Sequence, residues 1–312
     1  MVDSSTSMTD TMHHLSDVRQ STNYSKYLKS QGWTVERIKN TNYFIKKIPL
    51  LGSVLKIQRP INLDLKTIKR LEKKYKIFQT IIEPDLRSNI WSIFLKDNPS
   101  SVRSIIKDDV HKLIIEHGFK LSNSPYLPSK TLYLNLASSE KEIYNNFTKD
   151  CKYSIRKGEG LKINKYSTPK ELKKIHKAWR NSVNFSRFVP SLTSLINLKK
   201  SFPNNHSIFL TSHNKIGNII GGAIFTRSSH DIAYYWYGFT NKEGRTSLSQ
   251  YSLLYSGILW GKLNNCKIFD FEGIYDSRFP DKSWLGFTHF KKSFGGKEVL
   301  YPGCYTKLRF PL

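Results

Sequence analysis

Residues 268–296 constrain this chain more than any other stretch. Ile268-Phe269-Asp270-Phe271-Glu272-Gly273-Ile274 alternates aromatic and acidic side chains with period two, the pattern of a short strand with one face buried. Gly273 lets the backbone leave such a strand sharply. After a polar loop, Gly286-Phe287-Thr288-His289-Phe290-Lys291-Lys292-Ser293-Phe294-Gly295-Gly296 reads as an aromatic and basic turn that closes back on the strand. A buried strand that ends on two carboxylates is a place where polar chemistry can be displayed.

The rest of the chain must supply a scaffold for that end. Its 312 residues can bury two cores of ordinary size. Fifty Lys and Arg against 24 Asp and Glu leave a formal charge of +26, which suits a strongly anionic partner: nucleic acid, nucleotide phosphates or an acidic membrane face. Charge alone does not choose among them. Cys151, Cys266 and Cys304 are far apart and have no paired spacing, so neither a disulfide framework nor a zinc site is expected, and a reducing cytosol is the simplest setting. No apolar run reaches the roughly 18 residues of a membrane span, and the first 23 residues lack the apolar segment of a leader. Those 23 residues read as a disordered tail, in which His13-His14 finds no further metal ligand.

Beyond the tail the periodicities alternate. Residues 24–31 read as a helix, 43–48 and 54–58 as strands, 63–75 as a helix with Leu65, Ile68, Leu71 and Tyr75 inward, and 77–82 as a strand stopped by Glu83-Pro84. Residues 101–117 read as a second helix ended by Gly118. Ser139 and Glu142 have capping-box spacing, and Ile143, Phe147, Cys151 and Ile155 recur every four residues as the inner stripe of one helix. Thr168-Pro169 with Glu171 starts another. Residues 207–213, 217–227 and 231–238 read as a three-stranded meander, 247–264 as a long helix, and 299–308 as a last strand. The expected class is α+β, two tandem mixed units.

The order Phe269-Asp270-Phe271, Gly273-Ile274, a loop, then Phe290-Lys291-Lys292 and Phe294-Gly295 resembles the C-terminal signature of the FemABX family, aminoacyl-tRNA-dependent transferases that add amino acids to peptidoglycan stem peptides. Gly32-Trp33, Ile82-Glu83-Pro84, residues 131–136, Tyr153-Ser154-Ile155-Arg156-Lys157 and Tyr235-Trp236-Tyr237-Gly238 follow the family's order, so the resemblance covers nearly the whole chain after residue 24. It implies two GNAT-like acyltransferase domains, residues 24–130 and 131–297, with residues 298–312 returning to the first. No room is left for the long helical coiled-coil arm of some members.

The resemblance also implies roles. Phe290 matches the phenylalanine that stacks on the tRNA terminal adenosine, and Lys291 the lysine that stabilises developing charge. Lys26, Arg187 and Tyr237 match residues that hold the nucleotide-linked substrate, and Glu83 a carboxylate considered as a general base. Phe78 and Ser191 stand where members that use a soluble nucleotide substrate have tyrosines, so the acceptor is either lipid II or UDP-MurNAc-pentapeptide. The implied protein is a cytoplasmic monomer that uses aminoacyl-tRNA as co-substrate, has no metal or redox cofactor, and makes peripheral contact with the inner face of the membrane.

Two rival readings stand beside this one. An acyl-CoA-dependent N-acyltransferase would use the same general fold but needs free backbone amides at a strand-to-helix junction to hold a pyrophosphate. Arg156-Lys157-Gly158-Glu159-Gly160 is the nearest match to such a loop; its spacing is wrong and it lies at a helix end where the dipole repels anions. A non-catalytic tRNA- or membrane-binding module would satisfy the charge alone.

Overall fold

The computed structural model describes residues 16–60, 62–85, 110–183, 187–228 and 231–309. Two compact units divide the chain: Met1–Ser129 with Leu300–Leu312, and Lys130–Val299.

In the first unit β1 (Thr34–Ile38), β2 (Thr41–Ile48) and β3 (Gly52–Gln58) form an antiparallel meander. Lys39 and Asn40 both take positive φ in the two-residue turn between β1 and β2, the geometry that matches strand twist. Helix Leu65–Lys74, capped by the Asp64 side chain, carries the chain over to β4 (Ile77–Glu83), which pairs in parallel with β3. Its Ile68 and Leu71 pack with Tyr43, Ile45, Leu55 and Ile57 into the core of this unit. β13 (Tyr305–Leu308) lies antiparallel between β4 and β5 (Lys120–Leu121) and completes a six-stranded sheet.

Two expectations change here. Residues 16–23 are not a disordered tail: Val18–Gln20 is a buried 3-10 turn and a helix runs from Thr22 to Ser30. Asn42 holds that segment, its Nδ2 donating to the carbonyls of Arg19 and Ser21 at 3.0 Å each, while the Gln20 side chain accepts the Asn42 N–H at 2.7 Å. Residues 1–15, with His13 and His14, lie outside the described residues, as does the start of the helix expected over 101–117. The single strand expected over 299–308 is two strands, β12 (Lys297–Leu300) in the sheet of the second unit and β13 in that of the first.

The second unit is built on seven strands in the order β12, β6 (Lys130–Asn135), β11 (Ile268–Asp270), β10 (Ile232–Thr240), β9 (Ile219–Arg227), β8 (Ser207–His213) and β7 (Lys162–Tyr166). β7 to β10 are antiparallel neighbours; β10 and β11 are parallel. Ile143, Phe147, Cys151 and Ile155 all reach the core, but from two helices, Glu140–Asn145 and Lys149–Lys157. Thr148 caps the second, and its own N–H bonds the Ser293 carbonyl, so one uninterrupted helix is not made. The capping boxes at Ser139/Glu142 and Thr168/Glu171 are both present. Helix Ser249–Leu263, the longest among the described residues, covers the sheet with Leu253, Leu254 and Ile258. The class is α+β, and no helix among the described residues is long and apolar enough to cross a membrane.

Candidate active site

The second sheet opens between β10 and β11. β10 and β11 pair through Tyr234 and Asp270, where β11 ends. Beyond that point the chain stays with β6: the Phe271 N–H donates to the Leu132 carbonyl and the Ile274 N–H to the Lys130 carbonyl. β10 continues to Thr240 against β9, with a bulge between Tyr235 and Tyr237. The two strands therefore diverge, and a cavity of about 670 Å³ lies between residues 235–240 on one side and Glu272 and the helix Leu285–Lys292 on the other.

Asp270 shapes the rim of this gap. The Thr131 hydroxyl donates to Asp270 Oδ1 at 2.6 Å, the same oxygen accepts the Glu272 N–H at 2.8 Å, and the Gly273 N–H donates to Thr131 Oγ1 at 3.1 Å. Held in this way, the backbone turns out of the strand, with Glu272 at φ 55° and Gly273 at φ 101°. The turn leaves two carbonyl oxygens facing Lys291, whose Nζ donates to Gly273 O at 2.7 Å and to Glu272 O at 3.3 Å. Asp270 thus orders the loop after its strand, as its position at a strand end suggests.

Lys291 sits on a helix, not on the turn expected from its glycine-flanked sequence. Asp281 accepts the Ser283 N–H and starts a 3-10 turn, Lys282–Trp284, that feeds directly into Leu285–Lys292. The Thr288 hydroxyl then accepts the Tyr275 N–H at 2.7 Å and ties this helix to the segment that leaves β11. Lys291 is only 7 % exposed, with its Nζ 5.1 Å from the ring centre of Phe287 and 5.6 Å from that of Tyr235. Burial brings its pKa from 10.5 down to about 8, against the pull of Glu272 and Asp270. An ammonium has three N–H donors, so two carbonyls leave one for a ligand.

Four of the six residues singled out in the sequence line this cavity: Arg187, Tyr237, Phe290 and Lys291. Phe290 is half-buried and edge-on to Tyr251 at 4.8 Å; Tyr237 packs edge-on to Trp179 at 5.5 Å; Arg187 is exposed. Lys26 and Glu83 belong to the first unit. Lys26 lies on the exposed side of helix Thr22–Ser30. Glu83 is 1 % exposed at the end of β4, where Oε1 accepts the Leu127 N–H and Oε2 accepts from Gln58 Nε2 at 3.2 Å, so its carboxylate fastens a loop. Ser191 caps the helix Leu192–Ser201 by accepting the Ser194 N–H.

Tyr235 and Gln250 also line the cavity and were not singled out. Gln250 Nε2 donates to the Tyr235 hydroxyl at 2.6 Å, and burial holds that phenol well above its ordinary pKa. The aromatic run 235–237 carried a signal for Tyr235; nothing local marks Gln250 except its polarity on a largely apolar helix.

The junction between β10 and the long helix bears on the donor. Asn241 caps a short helix, Lys242–Thr246, and accepts the Gly244 N–H on its side chain at 2.8 Å. The N–H groups of Arg245, Ser247 and Leu248 bond the carbonyls of Asn241, Glu243 and Arg245. These amides are already used within the chain. Gly158 caps the C-terminal end of helix Lys149–Lys157, so the nearest match to a pyrophosphate loop also lies at the wrong pole of a helix. The three cysteines are free and buried, and burial pushes each thiol up to about 12, which leaves no thiolate nucleophile at neutral pH.

No family model matches the sequence, and no curated protein does. The likeness lies in three dimensions. Aligned with the crystal structure of FemX, the chain gives a TM-score of 0.74 over 96 % of its own length and 94 % of the other, at 15 % identity. The fold is FemX-like. The C-terminal DUF2156 domain of a putative lysylphosphatidylglycerol synthetase from Agrobacterium fabrum aligns at a TM-score of 0.59 and 11 % identity, over 97 % of this chain and 92 % of that one. A tandem GNAT protein from the clavulanic acid biosynthesis pathway aligns at 0.52 and 7 % identity, over 87 % and 84 %. At these identities the shared property is the fold, two GNAT-like units in tandem. In this FemX-like fold the cavity with Lys291 belongs to the second unit.

Proposed function

We propose that the chain is an aminoacyltransferase that moves an amino acid from aminoacyl-tRNA to an amine of a peptidoglycan precursor stem peptide, lipid II or UDP-MurNAc-pentapeptide. The observation that carries this reading is the convergence of Arg187, Tyr237, Phe290 and Lys291 on one cavity of a FemX-like fold. In the reaction the acceptor amine attacks the ester carbonyl carbon, an oxyanion forms, and the C–O bond to the ribose breaks as the amide forms. The amine loses a proton and the departing ribose oxygen gains one.

Lys291 suits the charge that develops in that step. Its ammonium is fixed by two carbonyls, keeps one donor free and stands in a site of low polarity, where a preorganised donor is worth most. Phe290 supplies an aromatic face for a base, and the Arg187 guanidinium a fork that fits phosphate. Lys26, exposed on its helix in the first unit, is proposed as a phosphate contact in its own right. Glu83 is assigned a structural role, because both of its oxygens are engaged within the first unit.

The acyl-CoA alternative uses a similar fold, and the occupied amides of residues 244–248 weigh against it. Incubation of the purified protein with total charged tRNA and each precursor, followed by mass spectrometry, tests the reading. An amino-acid mass increment on a precursor, lost on RNase treatment, is expected. Acylation driven by acetyl-CoA without tRNA would overturn it.

A further inference from the structure

The turn between β2 and β3 of the first unit, Pro49-Leu50-Leu51-Gly52, places leucine where neither packing nor backbone geometry asks for it. The Leu51 N–H closes the turn on the Ile48 carbonyl at 3.2 Å, with Pro49 in the second position and Leu50 in the third at φ 67°. This is the arrangement of a type II turn, whose third position favours glycine. A branched side chain there strains the backbone. Leu50 gains no burial in return: it is fully exposed, and Leu51 beside it is half-exposed. A single surface leucine is ordinary, but two adjacent ones on a hairpin tip, one of them strained, call for a partner.

The surroundings are basic. From Arg37 to Leu63 the sequence has no Asp or Glu. Lys47 is paired with Ser53, whose N–H bonds the Lys76 carbonyl, so two exposed lysines belong to the positions just behind the tip. Lys46 is fixed beside them by the Gln31 and Gly32 carbonyls at 3.1 and 2.9 Å, with its Nζ 5.9 Å from the ring centre of half-buried Trp33. The carboxylates on neighbouring elements do not cancel this charge. Glu36 on β1 pairs with Lys74 and Glu72 with Arg309, while Asp64, which pairs with Lys39, and Glu83 at the end of β4 lie toward the opposite end of the sheet.

We propose that this tip docks the protein on a bilayer with anionic headgroups, Leu50 and Leu51 entering the headgroup boundary and Lys46, Lys47 and Lys76 lying against the phosphates. A membrane satisfies the apolar and the basic half of the feature together. RNA would meet the lysines and leave the leucines in water, and two leucines on a turn fall far short of the area that a stable protein interface buries. The inference stands on the first unit and does not depend on the reading of the cavity in the second.

Vesicle co-sedimentation of the full chain tests it, with vesicles of equal parts phosphatidylglycerol and phosphatidylcholine and with vesicles of phosphatidylcholine alone. Native protein is expected to bind the anionic vesicles in a manner weakened by salt, and the neutral ones about tenfold less tightly or worse. Leu50→Gly removes the leucine and relieves the backbone, so this variant should melt close to the native temperature or above it; combined with Leu51→Ser it should lose about tenfold or more of the affinity for anionic vesicles. Lys47→Gln with Lys76→Gln should weaken binding and flatten its salt dependence, a readout that leaves the leucines untouched. Native protein that stays in solution with anionic vesicles overturns the inference. So does a leucine variant that binds them as tightly as native, since charge alone then accounts for the binding. Leucine variants that keep vesicle affinity and lose tRNA affinity would assign the tip to RNA and overturn it equally.

Discussion

The ammonium nitrogen of Lys291 lies 2.7 Å from the carbonyl oxygen of Gly273, a residue eighteen positions earlier in the chain. That contact joins the two halves of the motif visible in the sequence. Asp270 stops β11 and turns the backbone, the turn exposes two carbonyls, and the carbonyls hold a lysine delivered by a helix that Thr288 fastens to the same segment. Each link is local, and together they put one nearly buried cation in the gap between β10 and β11.

The first prediction concerns pH. If the charged form of Lys291 stabilises the oxyanion, kcat should fall as pH rises through about 8, and Lys291→Arg, which does not lose its proton in that range, should lack this limb. A rate that instead climbs through pH 8 in the native protein and is flat in the arginine variant would make Lys291 a base. Stability should move as well. From about pH 8 to 10.5 the unfolded chain keeps the Lys291 proton while the folded chain has released it, so folding becomes more favourable across that window, by about 3 kcal/mol in full. Denaturant unfolding of native protein against Lys291→Met at pH 7 and pH 10 measures the difference.

A second prediction isolates the turn. Thr131→Val keeps the shape of the side chain but removes the donor to Asp270 and the acceptor for the Gly273 N–H. It should destabilise the fold by about 1–3 kcal/mol and lower kcat with little change in either KM, because it loosens the carbonyls that hold Lys291. Steady-state kinetics at saturating donor would contradict the account if kcat were unchanged in a variant whose melting temperature had dropped.

Arg187 yields a third. Arg187→Lys keeps the charge and loses the planar fork, so acceptor KM should rise by the equivalent of about 1–3 kcal/mol while kcat stays close to native. Acceptor saturation curves that superimpose for native, Arg187→Lys and Arg187→Ala would put phosphate recognition elsewhere.

Much of this arrangement is legible before folding. Helix caps are: Ser139/Glu142 and Thr168/Glu171 both form as spaced. The inner stripe from Ile143 to Ile155 is legible too, but the break at Thr148 is not, since it depends on the Ser293 carbonyl far along the chain. The strand at Ile268 ends earlier than its alternation implies, because Asp270 takes the Glu272 N–H on its own side chain. Phe290 and Lys291 are found on a helix because Asp281 and Thr288 outweigh the flanking glycines. Tyr235 and Gln250 were missed for a different reason. What opens the sheet there is the short length of β11 and a bulge in β10, and neither leaves a local mark in the residues that line the opening.

The most direct test of the central claim is single-turnover transfer from aminoacyl-tRNA by native protein and by Lys291→Met, with tRNA binding measured in parallel across a salt series. The account predicts transfer by the native protein, a rate lower by about a hundredfold or more in the variant, and tRNA affinity that falls steeply with salt in both. Equal single-turnover rates in a folded Lys291→Met variant would contradict it.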